Sequence, residues 1–347
     1  MNQKPYIFDL DISELTKILR SWGQPGYRAQ QIWHGLYQSL WSKPKEFTQL
    51  SLALREQVAE NIEFSHLTPS TRLNSTDGET QKTLFHLPDG HPIETVQMHY
   101  QRRQTVCIST QSGCALGCSF CATGQMGLRR NLSSGEIVEQ VVYYTRQLAK
   151  RGERVTNVVL MGMGEPFHNY ESSLEAVRRL NHPQGLNFGA RRFTISTVGL
   201  VPEIRRFATE GIQANLAISL HAADDELRSS MIPINRKYPL AELMAAVRAY
   251  IKATNRRVTF EWALIDGIND TIKQAQKLAA LTKGMLVHIN LIPLNPTKDY
   301  HGKASARDRT ERFYDTLQKI GVSCTIRLRR GIDIQAGCGQ LADLENE

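Results

Sequence analysis

This sequence predicts an α/β chain, a parallel sheet with crossover helices behind a small helical module, and three observations predict it. From Thr105 onward, runs of β-branched and aliphatic residues alternate about six times with amphipathic stretches, and strands joined through helices run parallel. Before residue 65 the apolar period is helical instead. A chain of 347 residues that is 41% hydrophobic also suffices for one large core and a smaller one. The alternation is compatible with an open doubly wound sheet or with a barrel, and both gather ligands at the C-terminal strand ends.

Residues 1–80 make the helical module. Leu15, Ile18, Leu19 and Trp22 recur at helical spacing behind a cap expected at Ser13, with Gly23 as the stop. Ile32, Trp33, Leu36 and Tyr37 mark a second helix, and Leu50, Leu54, Val58 and Ile62 a third. Its aromatic residues either fill this small core or, with Tyr27, Arg28 and Gln31, present a nucleic-acid surface. Residues 81–100 read as a linking β-hairpin, strands at 82–87 and 93–100 around Pro88-Asp89-Gly90-His91. Core strands are expected at 105–110, 157–161, 192–197, 214–220, 258–264, 287–292 and 323–328, within a core of residues 101–334. Helices are expected at 171–181, 203–210, 239–253, 271–283 and 305–319, and Ser133 with Glu136 makes a capping box for another. Residues 335–347 read as a loop with a reactive cysteine and a short, loose acidic tail, 343–347.

Bulk properties narrow the function classes. No window approaches the roughly 20 apolar residues of a membrane span, and residues 1–8 lack a signal-peptide pattern, so a cytoplasmic protein is expected. Six cysteines are too few for a disulfide scaffold, and their clustering points to metal and redox use. A net charge of +8 suits a polyanionic partner such as RNA.

The strand at 105–110 runs straight into Cys114-Ala115-Leu116-Gly117-Cys118-Ser119-Phe120-Cys121. Three thiolates in a glycine-bearing loop can hold one face of an iron–sulfur cubane, leaving one iron open because no fourth cysteine is near. Zinc, in a non-catalytic RNA-binding protein, is the alternative, but a closed zinc site needs four ligands and His99 and His168 are distant in sequence. At later strand ends come Gly162-Met163-Gly164-Glu165-Pro166, Ser196-Thr197, Ser219-Leu220-His221 and Asn295; each alone could cap a helix, but together they ring one face. Past the last strand, glycines flank Cys338, which favours a reactive thiol over core filling. Cys107 can be core or reactive; Cys324 reads as core. Arginines at 102–103, 129–130, 191–192, 327, 329 and 330 suggest a phosphate-gripping rim around the mouth.

Five ordered motifs, 113–124, 161–166, 219–222, 290–296 and 336–341, make the chain resemble the RlmN class of radical S-adenosylmethionine enzymes, dual-specificity adenine-C2 RNA methyltransferases. The resemblance implies a partial (β/α)6 barrel with a [4Fe–4S] cluster on Cys114, Cys118 and Cys121. It also implies S-adenosylmethionine held by Gly164, Glu165, Ser196, Ser219, Leu220, His221 and Asn295. Two molecules of it would be used per turnover: one methylates Cys338, the other yields a 5′-deoxyadenosyl radical that takes a hydrogen from that methyl, whose carbon then joins adenine C2. Glu94 would remove the C2 proton, and Cys107 would displace the thioether through a transient disulfide with Cys338. The implied substrates are 23S ribosomal RNA and a transfer RNA adenine beside the anticodon, with flavodoxin or ferredoxin as electron donor and a monomeric enzyme. Gln335 and Gly337 depart from the acidic residue and alanine usual in the class. Pro166 favours carbon 2 over carbon 8, because the carbon 8 enzymes usually carry alanine there.

Overall fold

The structure, a computed structural model, describes residues 4–342. The acidic tail expected at 343–347 lies outside the described residues.

The module opens with α1 (Ile12–Ser21), α2 (Tyr27–Tyr37) and α3 (Leu52–Asn61). The cap of α1 is Asp11, not Ser13: its carboxylate accepts from Glu14 N at 2.7 Å while Glu14 reaches back to Asp11 N, which leaves Ser13 inside the first turn. Gly23 follows at φ +75° and ends the helix as expected. Trp33 and Tyr37 are buried and fill the core, while Tyr27 is exposed with Arg28 stacked over its ring.

Strand β1 (Thr68–Asn74) falls inside the span read as helical. It is a polar, largely exposed edge strand, so it lacks the apolar alternation by which strands are read. It pairs antiparallel with β2 (Thr80–His86), which pairs with β3 (Pro92–Tyr100), and β3 with β4 (Arg103–Cys107). The expected hairpin therefore exists, but as part of the main sheet. A small ladder of β5 (Gln111–Gly113) and β6 (Leu128–Asn131) brackets the cysteine loop and α4 (Ala122–Gln125). There follow α5 (Ser134–Ala149), with its capping box on Ser133, β7 (Asn157–Leu160), α6 (Tyr170–Asn181), β8 (Phe193–Thr197), α7 (Val201–Phe207) and β9 (Asn215–Ser219). The remainder is α8 (Asp225–Met231), α9 (Leu240–Thr254), β10 (Val258–Leu264), α10 (Ile272–Thr282), β11 (Val287–Pro293), α11 (Arg307–Lys319) and β12 (Cys324–Ile326).

One ten-stranded sheet runs β1-β2-β3-β4-β7-β8-β9-β10-β11-β12, parallel from β4 to β12. That order never reverses, so there is no switch point of the doubly wound kind, and the sheet winds one way as a barrel does. Among the described residues β12 pairs with β11 alone, so the barrel is partial. The module shares its core: Phe8, Leu19, Trp33 and Tyr37 join Val141, Phe193 and Trp262 in one apolar cluster. Glu139 of α5 fixes the docking, accepting from Tyr6, Ser65 Oγ (2.6 Å) and the His66 and Leu67 amides (2.9 and 3.1 Å).

Candidate active site

The cysteine loop is shaped by backbone. Gly113, at φ +73°, has no room for a Cβ against the Gly127 carbonyl, which accepts from Cys114 N at 2.9 Å. Gly117 turns the chain at φ +62°, and Ser119 N donates to Met231 O at 3.0 Å. As a result Cys114, Cys118 and Cys121 line one cavity of ≈160 Å³ together with Gly164, Glu165, Ser196, Ser219, His221, Asn295 and Cys338. Burial pushes the Cys114 thiol up to about 12, and those of Cys118 and Cys121 in the same direction. Among the described residues, no three His, Cys, Asp or Glu side chains are grouped to hold a single metal ion.

The parallel strands deliver the rest of the cavity wall. Gly164 sits at φ +98° with its α-carbon against Gln111, where a Cβ would meet the Gln111 side chain at 2.6 Å. Glu165 accepts from Phe167 N (3.0 Å) and Val198 N (2.9 Å), yet burial raises its carboxyl to about 7. Burial, with help from Arg228, lowers His221 to about 3, so the imidazole is neutral; Ala263 N donates to Nδ1 at 2.8 Å, leaving the proton on Nε2. Asn295 donates to Cys338 O at 3.1 Å, while its buried Oδ1 has no partner. Leu220 stands apart, its side chain in the apolar core and its carbonyl accepting from Arg228 Nε.

A C-terminal segment crosses the open side and closes the site. Gly339 O accepts from Ala122 N at 2.8 Å and Leu341 O from Thr123 Oγ1 at 2.5 Å, which ties it to the helix after the cysteines. Cys338 lines the cavity of the three cysteines and also a second one of ≈30 Å³ that Cys107 shares. Burial first, and Cys338 second, push the Cys107 thiol up to about 12. All six cysteines are free thiols. Gly337 is required by this packing, since a Cβ there would lie 2.6 Å from Asn295 Nδ2, and Gln335 adopts φ +51°. Glu94, 1% exposed, lies beneath the segment: Oε1 meets Lys82 Nζ at 2.7 Å and Oε2 accepts from Ala342 N at 3.0 Å.

Of the expected arginine rim, Arg327, Arg329 and Arg330 line the second cavity, whereas Arg191 and Arg192 are corrected. Arg191 and Arg192 precede β8 and so sit at the opposite end of the sheet from the mouth. Arg130 is committed to Asp89 and Glu136, and Arg103 and Arg330 stack on the Tyr100 ring. Arg327 is half-buried and lines both cavities, with Nη1 3.4 Å from Cys338 Sγ; that sulfur and Glu261 hold its guanidinium well above its ordinary value. The sequence signal for Arg327 was only its place at the end of the last strand. His99 and His168 bond to Gln104 and Gln111 and line neither cavity, and Cys324 is core.

The all-thiol donor set, the cavity beside it and the orphaned Asn295 Oδ1 fit a cysteine-bound cluster with a polar cofactor next to it. Residues 108–279 match the family model described as the radical SAM superfamily. A crystal structure of a radical SAM methyltransferase from Sphaerobacter thermophilus is similar with TM-score 0.95 and 51% identity, covering 97% of this chain and 99% of that one. Fold and site thus define a radical S-adenosylmethionine enzyme, a class that works with a [4Fe–4S] cluster and S-adenosylmethionine. Residues 6–64 match the model described as the ribosomal RNA large subunit methyltransferase N-terminal domain. A Chloroflexus aurantiacus protein named "Probable dual-specificity RNA methyltransferase RlmN" is 50% identical, covering 97% of this chain and 92% of its own. One of the same name from Halalkalibacterium halodurans is 47% identical, covering 99% and 94%. The chain belongs to the RlmN family of radical SAM RNA methyltransferases. As an enzyme of that kind it is not the non-catalytic zinc protein that the cysteine loop alone would have allowed.

Proposed function

We propose that this enzyme methylates carbon 2 of an adenine in 23S ribosomal RNA and of the adenine beside the anticodon in transfer RNA, acting in the cytoplasm. Cys114, Cys118 and Cys121 would hold the cluster, and Gly164, Glu165, Ser196, the 219–221 turn and Asn295 the cofactor. When bound, this pair supplies a methyl group for a thiol and then, after one-electron reduction from a flavodoxin- or ferredoxin-like donor, a carbon radical able to take a hydrogen atom from that methyl.

One observation carries the reading: Cys338 stands between two cavities, one walled by the three cluster cysteines and the other by Cys107. Cys338 thus carries the methyl carbon from cofactor to base, and Glu94 accepts the proton from carbon 2. Cys107 then attacks the Cys338 sulfur. An S–S bond forms as the S–CH₂ bond breaks, the electron pair stays on carbon, and a proton completes the methyl group. A thiolate at Cys107 is disfavoured by burial, so the attack belongs to a moment when the segment has moved and water or a base reaches it.

Mass spectrometry of nucleosides from both RNAs after reaction tests the assignment. 2-Methyladenosine is expected; 8-methyladenosine would replace the carbon 2 reading with carbon 8 chemistry. Cys338→Ala should abolish product while cluster and cofactor binding persist, and Cys107→Ala should accumulate a covalent protein–RNA band on a denaturing gel. Product at the native rate from Cys338→Ala would refute the carrier role.

A further inference from the structure

The segment that carries Cys338 is held at both of its ends by one buried ion pair. Lys82 on β2 and Glu94 on β3 are diagonal neighbours on one face, Lys82 standing opposite Val96 and Glu94 opposite Leu84. Their side chains are 7% and 1% exposed. Each partner also contacts the C-terminal segment: Lys82 Nζ donates to Gln335 O at 3.3 Å, and Ala342 N donates to Glu94 Oε2 at 3.0 Å. Gln335 and Ala342 bracket Cys338 on either side. A buried pair is weak evidence for stability, because desolvation offsets most of its attraction. Its placement under both ends of a reactive loop calls for a functional account.

We propose that Lys82 is a positioning residue of the reaction: it fixes the Glu94 carboxylate and, through the two contacts to the segment, makes that carboxylate available only when the segment lifts. The inference rests on the base role given to Glu94 above. While the segment is down, each Glu94 oxygen already accepts a hydrogen bond and residues 335–342 cover it. Beyond the segment lies an open cavity of ≈930 Å³, which Lys82, Gln335, Gln340 and Ala342 help to line and which is large enough for a nucleotide. Lifting Ala342 breaks its bond to Oε2 and uncovers the carboxylate on the side of that space. Lys82 belongs to a strand and not to the moving segment, so it stays on Oε1 and keeps the carboxylate aimed, as a general base must be. In the step it serves, the C2–H bond of the attached adenine breaks and the proton passes to Glu94. The bond's electron pair stays in the ring, whose surplus electron leaves to an oxidised one-electron acceptor of the iron–sulfur class.

The test follows resolution of the protein–RNA adduct by the holoenzyme in a single turnover. Lys82→Met should slow resolution by about tenfold to a hundredfold, and Lys82→Arg should restore most of the rate. In a Glu94→Gln background the same Lys82→Met change should alter the rate by less than about twofold, because Lys82 acts through Glu94. Independently of activity, hydrogen exchange of the 336–342 amides in the RNA-free holoenzyme should accelerate in Lys82→Met. An equal loss in both backgrounds, or a loss that Lys82→Arg does not repair, would mark a merely structural residue and overturn the proposal. Native resolution by Lys82→Met beside a slow Glu94→Gln overturns the Lys82 role alone; native resolution by Glu94→Gln overturns the base assignment and the Lys82 role with it.

Discussion

The substitution Glu165→Gln separates the electrostatics of the cofactor cavity from those of the rest of the chain. Burial lifts the Glu165 carboxyl from its ordinary 4.5 to about 7 in the folded protein. Between those two values the native state keeps a proton that the unfolded chain has lost. The slope of unfolding free energy with pH follows the protons bound by the unfolded state minus those bound by the native state, so it is negative for this group. Its contribution is fully present below pH 4.5 and is lost as pH rises through 7, at about 1.4 kcal/mol per unit and about 3 kcal/mol in all. The amide of the variant does not titrate. It does forfeit one of the two amide donors, Phe167 N or Val198 N, that the carboxylate accepts, but that penalty is the same at every pH.

The stability difference between Glu165→Gln and the native chain should therefore swing by about 3 kcal/mol in favour of the variant from pH 4.5 to 8. Urea denaturation of the cluster-free protein at several pH values measures it, and other titrating groups cancel in the difference. The same variant should bind S-adenosylmethionine more weakly, by equilibrium dialysis of the cluster-loaded protein at pH 8, since a cationic cofactor is what an ionised buried carboxylate awaits. A difference that is flat with pH, or that swings the other way, would refute the argument that burial governs Glu165.

Gly164→Ala should lose cofactor binding and lower the thermal midpoint, because φ +98° and a Cβ 2.6 Å from Gln111 leave no unstrained solution; full binding by dialysis would contradict this. Asn269→Ala should cost about 3–5 kcal/mol in urea denaturation. It removes three buried bonds, from Nδ2 to the His221 and Ala263 carbonyls and from Ile265 N to Oδ1. Gly337→Ala should slow methyl transfer without loss of bound iron, read from iron content and single-turnover rate, since the added carbon meets Asn295 and Gln340 at the loop and not at the cluster.

What was legible in the sequence is what lies close together along it. The cysteine loop, the capping box on Ser133 and the polar residues closing β7, β8, β9 and β11 are local signals, and local backbone rules place them at the strand ends. Strand β1 was missed because an exposed edge needs no apolar period. Arg327 reads in the sequence as one more rim charge, because what a strand-end side chain touches depends on what folds over it, here Cys338. The bonds from Lys82 to Gln335 and from Ala342 to Glu94 span 253 and 248 residues, and no spacing rule reaches that far.

These illegible contacts share a cause in the topology. The cysteine loop follows β4, the first parallel strand, whereas Cys338 follows β12, the last, and a partial barrel never pairs those two strands. The chain can bring Cys338 back to the cysteines only by crossing the open side as a segment without sheet hydrogen bonds to hold it. It must then be held by side chains and loop backbone: Asn295 at Cys338 O, Ala122 at Gly339 O, Thr123 at Leu341 O, and the Lys82–Glu94 pair at its ends. Contacts of that kind open locally at far lower cost than a strand leaves a sheet. A closed barrel would have fixed this wall. On the proposed carrier role, the gap would let Cys338 face the cofactor cavity in one position of the segment and an incoming base in another, so the missing strand pairing would itself make a carrier thiol workable.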